Sequence, residues 1–186
     1  MSSASVEIRT VGHSVLGFDS FVSLVKDAGV SGLADVRRFP VSRRHPHFNR
    51  AVLEELLPAA GLEYRWFEDL GGRRSAPRQS PGLNGGLRVG GFRAYADYAL
   101  TPPFRDALQA LIEWARSTPV AVCCAEALWW QCHRRIIADH LVTAGHRVLH
   151  LVGQGAPAAH ELWDLARATP AGPVYPPAQP ELFDAG

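Results

Sequence analysis

One short segment limits the possible folds of this chain more than any other: the apolar run Val120–Cys124, which leads directly into Ala125 and Glu126. A β-branched run of this length, without polar alternation, predicts a buried strand of a parallel sheet. Apolar residues then recur at helical spacing from Ile136 to Ala144, which predicts an amphipathic helix. Because open α/β folds bind ligands at the carboxyl edge of the sheet, Glu126 is expected at a binding edge.

Reactive side chains follow at the predicted start of that helix, where Cys132, His133 and Arg134 are consecutive. A helix N-terminus carries unpaired N–H groups and a partial positive charge. This combination favours a bound phosphate or a developing negative charge.

The rest of the chain alternates strands and helices, as α/β proteins do. Strands are predicted at residues 6–14, 32–37, 62–67, 120–124 and 147–152, and helices at 18–28, 49–60, 92–100, 104–116, 132–144 and 158–167. These elements predict one α/β domain over residues 1–168, with three layers and a mainly parallel sheet that has helices on both faces. Residues 70–91, rich in Gly, Pro, Ser and Arg, are predicted to form a mobile flap, and the Pro-rich residues 169–186 a flexible C-terminal tail.

Composition agrees with a single domain, because 186 residues of which 47% are hydrophobic can bury a full core. No apolar run reaches the length of a membrane span, and the N-terminus lacks the basic and apolar leader of a secretory signal. Three cysteines, two of them adjacent, cannot form a disulfide framework. We therefore expect a cytoplasmic protein with reduced thiols and no membrane partner.

The formal net charge of +1 conceals a concentration of arginines in the middle of the chain. The cluster consists of Arg37, Arg38, Arg43, Arg44, Arg50, Arg65, Arg73, Arg74, Arg78, Arg88 and Arg93. Such a cluster is typical either of a solvated basic surface or of a nucleic-acid groove.

Several separate motifs occur in one order along the chain. They are Thr10-Val11-Gly12-His13-Ser14, Asp35-Val36-Arg37 with Pro40, Ser42 and Arg43, Phe48-Asn49, Leu70-Gly71-Gly72, Cys124-Ala125-Glu126, Cys132-His133-Arg134 and Arg147-Val148-Leu149-His150-Leu151. Over roughly residues 7–152 this series resembles the bacterial family catalogued as domain of unknown function 488. The pair Trp129-Trp130 departs from the polar segment of that family. The resemblance implies the fold and the site positions, and it implies no reaction.

The predicted strands place several polar residues at one sheet edge. If the strands are parallel, His13 and Ser14, Asp35 and Arg37, and Glu126 all follow carboxyl ends and converge on one crevice. Two carboxylates in a basic pocket can take separate acid and base roles. The alternative for Asp35 and Arg37 is a structural ion pair that braces the loop.

Cys132 has two interpretations: a nucleophile activated by the helix start and Arg134, or a buried structural thiol. His133 is either an acid–base group or a helix cap, whereas Cys123 and Cys124 are predicted to be packing thiols. No metal or other cofactor is expected, because the chain lacks a CxxC pair and neighbouring helical residues such as Cys132 and His133 point about 100° apart.

The C-terminus contains the pattern Gln179-Pro180-Glu181-Leu182-Phe183. It is similar to the QxxLF pentapeptide by which bacterial replication and repair proteins bind the sliding clamp. We therefore predict clamp binding by Gln179, Leu182 and Phe183. The alternative is that Leu182 and Phe183 pack back on the domain.

Together these features predict a DNA-processing or DNA-repair enzyme, a hydrolase or glycosylase, in which Glu126 and Asp35 perform acid–base chemistry on a nucleotide or base. The predicted catalytic residues are Glu126, Asp35, His13, Cys132 and His133; the predicted phosphate or nucleic-acid ligands are Ser14, Arg37, Arg43, Arg44, Asn49, Arg73, Arg74 and Arg134. Two alternatives remain: a non-catalytic nucleic-acid-binding adaptor, and a thiol-dependent enzyme that acts on a small molecule. The thiol-dependent alternative is based on a likeness to rhodanese-like domains, which also have an acidic-Val-Arg strand end and a cysteine after a later strand. The gap from Cys124 to Arg134 is, however, too long for the phosphate-cradling loop of those domains.

Overall fold

A six-stranded sheet forms the centre of the protein, in a computed structural model that describes residues 4–75, 82–153 and 155–178. The strands of this sheet are β1 (Glu7–Gly12), β2 (Gly32–Asp35), β3 (Glu63–Trp66), β4 (Val120–Cys124), β5 (Arg147–Leu151) and β6 (Ala158–Ala159). Their order is β3-β2-β4-β1-β5-β6, and every neighbouring pair is parallel except β5 and β6. The predicted mainly parallel sheet is confirmed.

In the described part of the chain, five α-helices cover the two faces of the sheet. They are α1 (Phe18–Asp27), α2 (Arg50–Ala59), α3 (Gly90–Ala99), α4 (Pro102–Ala115) and α5 (Arg134–Thr143). One apolar cluster joins the sheet to α1 and α2 through residues such as Phe21 and Leu53. The other joins it to α3, α4 and α5 through Tyr95, Leu108 and Ile136. The fold is therefore the predicted three-layer α/β fold.

Strand β4 shows how the sequence pattern produces these layers. All five of its residues are buried. Successive side chains of a strand point to opposite faces, so Cys123 packs in the cluster with α1 and α2, and Cys124 in the cluster with α3, α4 and α5. The apolar run is continuous because both faces of this strand are covered by helices.

Helix α4 begins two residues before its predicted start. Thr101 precedes it, and Pro102 and Pro103 occupy its first two positions. Proline suits the first helical turn, since its missing N–H would have no helical partner there. Leu108, Leu111 and Ile112 are buried on one side of the helix, as their spacing predicts.

The prediction of a helix over residues 158–167 is wrong. The chain instead forms β6, an irregular segment, and a hairpin of β7 (Arg167–Thr169) with β8 (Gly172–Val174). The backbone N–H of Trp163 donates to Asp139 of α5, and the His160 ring bonds the same carboxylate. These distant partners outweigh the local helical preference.

The predicted start of the flexible tail at residue 169 is also too early. Tyr175 is fully buried; its hydroxyl donates to Asp139 Oδ2 at 2.7 Å and its backbone N–H to Asn84 Oδ1 at 3.0 Å. The α/β unit therefore extends at least to Tyr175.

A directed chain of hydrogen bonds crosses the interior from β1 to α5. Asp139 accepts from His160 Nε2 at 2.9 Å, so His160 Nδ1 accepts from His150 Nε2, also at 2.9 Å. His150 Nδ1 then accepts from the Thr10 hydroxyl at 2.6 Å. Because each ring nitrogen of His150 and His160 has one partner, this series of hydrogen bonds sets the tautomer of both histidines.

The ends of the predicted flap are anchored. Leu70, Gly71 and Gly72 are buried, and the Tyr95 hydroxyl donates to the Leu70 carbonyl at 2.6 Å. At the other end Asn84 is fully buried and donates to Asp97. Residues 76–81, between these anchors, lie outside the described residues.

Among the helices that the structure describes, none combines the length and the apolar composition that crossing a membrane requires.

Candidate functional site

A cleft of about 510 Å³ opens at the carboxyl edge of the sheet, beside the ends of β1, β2 and β4. Its lining consists of His13, Ser14, Val15, Arg37, Arg38, Phe39, Val41, Ser42, Arg44, His45, Gly72, Arg73, Cys124, Ala125, Glu126 and His133. Three parallel strands end at this edge, so residues distant in sequence meet there. Of the polar residues expected at this edge, His13, Ser14, Arg37 and Glu126 line the cleft, and Asp35 does not.

The loop that carries Glu126 is held close to the end of β1. A Cβ on Gly12 would lie 1.8 Å from the Glu126 carbonyl oxygen, so only glycine permits this approach. His13 and Ser14 donate backbone N–H groups to the Cys124 and Ala125 carbonyls, both at 3.0 Å. The Glu126 side chain is exposed at the cleft.

Arg134 is 1% exposed and does not line the cleft. Its guanidinium donates to the Glu126 and Ala127 carbonyls and, through Nε, to Cys132 Sγ at 3.4 Å. We predicted a phosphate ligand at this position; the structure instead shows a buried side chain that positions the Glu126 loop. A helix start explains this outcome, since its first residues project toward the preceding loop.

Asp35 lies beneath the cleft and is fully buried. Its carboxylate accepts from Arg37 Nε at 2.8 Å, from the Arg37 backbone N–H at 3.0 Å, and from the Tyr64 hydroxyl at 2.8 Å. An Arg37 terminal nitrogen completes a bidentate ion pair. The structural ion pair considered from the sequence is what the geometry shows, and Asp35 orients Arg37 toward the cleft.

His13 is 3% exposed and stacks on Phe48 with 4.1 Å between the ring centroids. Its Nδ1 lies 3.1 Å from the Ser14 carbonyl, which can only accept, and its Nε2 lies 3.4 Å from Arg37, which can only donate. His13 is therefore the neutral Nδ1–H tautomer. Burial, and then the charge of Arg37, lower its pKa from 6.5 to about 4. A neutral imidazole with both nitrogens occupied suits an orienting role.

Among the described residues, four arginines reach the cleft: Arg37, Arg38, Arg44 and Arg73. Arg38 donates to the Arg73 carbonyl at 2.9 Å, which joins two sides of the cleft. Gly71 makes this possible, because a Cβ there would lie 2.7 Å from Arg38 Cα. Arg73 has a positive φ of 55° and Ser14 one of 46°. Such backbone strain in non-glycine residues is common at functional sites.

Several predicted phosphate ligands lie elsewhere. Arg43 is exposed outside the cleft, whereas Arg74 donates to the Gly71 carbonyl and lies 4.1 Å from the Tyr98 ring centroid. Asn49 accepts from the Ser42 N–H at 2.6 Å and so holds the loop in front of α2. Arg78 lies outside the described residues.

Cys124, Cys132 and His133 form a compact cluster at the floor of the cleft, with their ligand atoms all within 4.8 Å of one another. The expectation that Cys132 and His133 point apart is wrong, because Cys132 is extended (φ −124°, ψ 152°) and precedes the helix. Burial alone raises the pKa of Cys132, but a hydrogen bond from Cys124, the contact with His133 and the charge of Arg134 bring it well below 9. The hydrogen bond with Cys132, and then burial, raise the pKa of Cys124.

Sequence reasoning missed Arg38, His45 and Gly72 as lining residues and treated Cys124 only as a packing thiol. A signal existed for Gly72, in the motif Leu70-Gly71-Gly72. A Cβ at Gly72 would lie 2.8 Å from His133 Nδ1. The predicted clamp-binding residues Gln179, Leu182 and Phe183 lie outside the described residues, and clamp binding stays a prediction.

The fold and the cleft define an α/β protein that combines arginines, an exposed carboxylate and a thiol–imidazole cluster at the carboxyl edge of its sheet. The profile of the family described as Domain of unknown function DUF488 matches residues 17–141 of the chain. Because this match covers more than half of the sequence, the chain belongs to that family. No curated protein and no solved structure matches the chain significantly.

Proposed function

We propose that the protein is an enzyme that processes a nucleotide or nucleic acid, and specifically a DNA-processing or DNA-repair hydrolase or glycosylase. One observation supports this most: Arg37, Arg38, Arg44 and Arg73 share a cleft with the exposed carboxylate of Glu126. Guanidinium groups match the geometry of phosphate oxygens and bind them with two parallel hydrogen bonds. A phosphate group in the cleft would therefore lie beside a potential acid–base residue.

The charges divide the arginines into two kinds. Arg37 is paired with Asp35, so its charge is largely compensated and it acts as a fixed hydrogen-bond donor. Arg38, Arg44 and Arg73 provide the positive charge that attracts an anion. In this proposal Ser14 and His13 shape the wall on which the ligand is oriented.

Acid–base chemistry falls to Glu126 alone in this proposal, because the oxygens of Asp35 already bond to Arg37 and Tyr64. A carboxylate at a cleft can activate a water molecule by accepting its proton when the two are in hydrogen-bond contact. Gly12 and Arg134 hold the backbone that presents Glu126. This division of roles replaces the pair of catalytic carboxylates that we predicted.

The experiment is a screen of the purified protein for turnover of damaged, modified and single-stranded DNA and of mononucleotides. For any substrate turned over, Glu126→Gln is expected to reduce kcat at least about a hundredfold, the lower range of general acid–base contributions. The affinity of this variant for the substrate should change little, because the glutamine amide has the same shape as the glutamate carboxylate. Glu55→Gln, at an exposed position of α2, is the matched control.

Unchanged turnover in Glu126→Gln would exclude its acid–base role. Tight DNA binding by a wild-type protein that transforms no substrate would favour the non-catalytic adaptor.

Arg43 and Arg44 provide a second test of the cleft. They are adjacent and both exposed, but only Arg44 lines the cleft. We expect Arg44→Gln to weaken binding of a nucleoside monophosphate about tenfold, a loss of about 1.4 kcal/mol, and Arg43→Gln to leave it unchanged. With a long oligonucleotide both substitutions should weaken binding and reduce its salt dependence. Equal effects on the monophosphate, measured by calorimetry, would contradict binding in the cleft.

A further inference from the structure

The thiol–imidazole cluster has the spacing of a metal site. His133 Nδ1 lies 4.0 Å from Cys124 Sγ and 3.5 Å from Cys132 Sγ. In a tetrahedral zinc site, with Zn–S near 2.3 Å and Zn–N near 2.0 Å, a sulfur and a nitrogen ligand are about 3.5 Å apart. The three side chains therefore need only small shifts to hold a zinc ion.

The hydrogen bond of His133 directs its free nitrogen toward the sulfurs. Its Nε2 lies 2.9 Å from the Val36 carbonyl, an acceptor, so Nε2 carries the proton. The lone pair of the neutral ring is then on Nδ1, on the side of both thiols. Metal-binding histidines usually donate their other N–H to a carbonyl or carboxylate, which sets their tautomer and orientation.

We propose that Cys124, Cys132 and His133 bind one zinc ion, whose fourth coordination position opens to the cleft. Two thiolates and an imidazole form a soft ligand set that suits zinc better than magnesium or calcium. Thiol protons leave to solvent when the ion binds, and two thiolates then balance its charge. Cys124 and His133 both line the cleft. Three protein ligands with an open position is the arrangement of catalytic zinc sites.

The surroundings of the three ligands hold them in place. Cys124 ends strand β4, and Cys132 and His133 directly precede α5. The Arg134 Nε–H group points at Cys132 Sγ, which stabilises a thiolate ligand. The Tyr95 ring contacts the imidazole edge to face, with centroids 5.0 Å apart. Gly72 leaves space beside Nδ1, which a side chain would occupy.

This inference rests on ligand geometry and not on the proposed function. A protein without turnover can bind zinc, and a protein without zinc can use Glu126. For this reason the test reads metal binding directly and does not depend on activity.

The experiment measures the metal content of the full-length protein, purified under reducing conditions, by elemental mass spectrometry. Metal-free protein is then titrated with Zn²⁺, and with Co²⁺, whose thiolate charge-transfer and d–d absorption bands report on sulfur ligands and tetrahedral geometry. We expect one equivalent of either ion to bind. Cys124→Ser, Cys132→Ser and His133→Ala should each weaken binding at least about a hundredfold, and Gly72→Ala should weaken it as well.

Cys123→Ala is the matched control, since Cys123 is equally buried but packs on the opposite face of the sheet. It should keep full metal binding. Circular dichroism identifies variants that lose their fold, and the wild-type titration is decisive without any variant. Wild-type protein that binds neither ion would overturn the proposal. Equal loss in Cys123→Ala and Cys132→Ser would overturn it too, as would a Cys124–Cys132 disulfide whose reduction restores no metal binding.

Discussion

The free energy of unfolding is expected to fall steeply as the pH decreases from 6.5 toward 4. Burial lowers the pKa of His140 to about 4 and that of His150 to about 3, and burial with the charge of Arg37 lowers that of His13 to about 4. In the unfolded chain all three return to about 6.5. Between these values the unfolded chain binds protons that the folded protein does not, so acid favours unfolding.

The size of this effect follows from the number of groups. Each contributes about 1.4 kcal/mol per pH unit within its window, so three contribute about 4 kcal/mol per unit. Over the window from pH 6.5 to about 4 the loss reaches about 10 kcal/mol, so a domain in the lower half of the usual range of about 5–15 kcal/mol unfolds before the pH reaches about 4. Urea denaturation at pH 7.5, 6.5, 5.5 and 4.5 measures the slope.

His140 provides the control for this prediction. Its Nε2 is buried and has no hydrogen-bond partner among the described residues, and its ring packs on Phe104. The fold should thus tolerate His140→Leu at pH 7.5. The substitution should reduce the slope of stability against pH by about 1.4 kcal/mol per unit, the contribution of one titrating group. Stability that stays constant from pH 7.5 to 5.5, or a slope unaffected by His140→Leu, would contradict the assignment.

Removal of the Asp139 carboxylate is expected to be the most damaging single truncation of a polar side chain in the core. Asp139 is fully buried and accepts from the His160 ring, the Trp163 N–H and the Tyr175 hydroxyl. Asp139→Ala leaves three donors without their acceptor, and two of them, on His160 and Tyr175, are buried; each buried donor left unpaired costs about 1–3 kcal/mol. We expect a loss of about 3–5 kcal/mol, with release of the segment from β6 to Tyr175.

Two substitutions separate this network from a general effect of charge. Asp139→Asn retains one carbonyl oxygen and should cost less than Asp139→Ala. Asp106→Ala, at an exposed position of α4, should change the stability by less than about 0.5 kcal/mol. Urea midpoints compare the three variants. Equal midpoints for Asp139→Ala and Asp106→Ala would show that the network does not support the C-terminal segment.

The layers of the fold were predictable because they depend on local patterns. The run Val120–Cys124 is apolar throughout because helices cover both faces of its strand. Leu108, Leu111 and Ile112 likewise recur at helical spacing because α4 buries only one of its faces. The residue pattern of 158–167 also allowed a helix, but in the structure the His160 ring and the Trp163 N–H of this segment bond to Asp139 of α5 instead.

The site was predictable only in part. His13, Arg37 and Glu126 meet because parallel strands end at one edge of the sheet. A prediction of parallel strands therefore also predicts this meeting point. Whether a side chain then faces the cleft or the interior depends on partners elsewhere in the chain. Asp35 and Arg134 both turned inward, the first toward Arg37 and Tyr64, the second toward the Glu126 loop.

By itself, the sequence determined the α/β class, the parallel strands and the edge at which polar residues gather, because hydrophobic periodicity is a property of neighbouring residues. Only the tertiary structure decided which of those residues share contacts. The His133 ring bonds Val36, 97 positions earlier in the chain, and its free nitrogen faces the thiols of Cys124 and Cys132. Contacts between such distant residues depend on how the helices pack on the sheet, and no local pattern of residues contains that information.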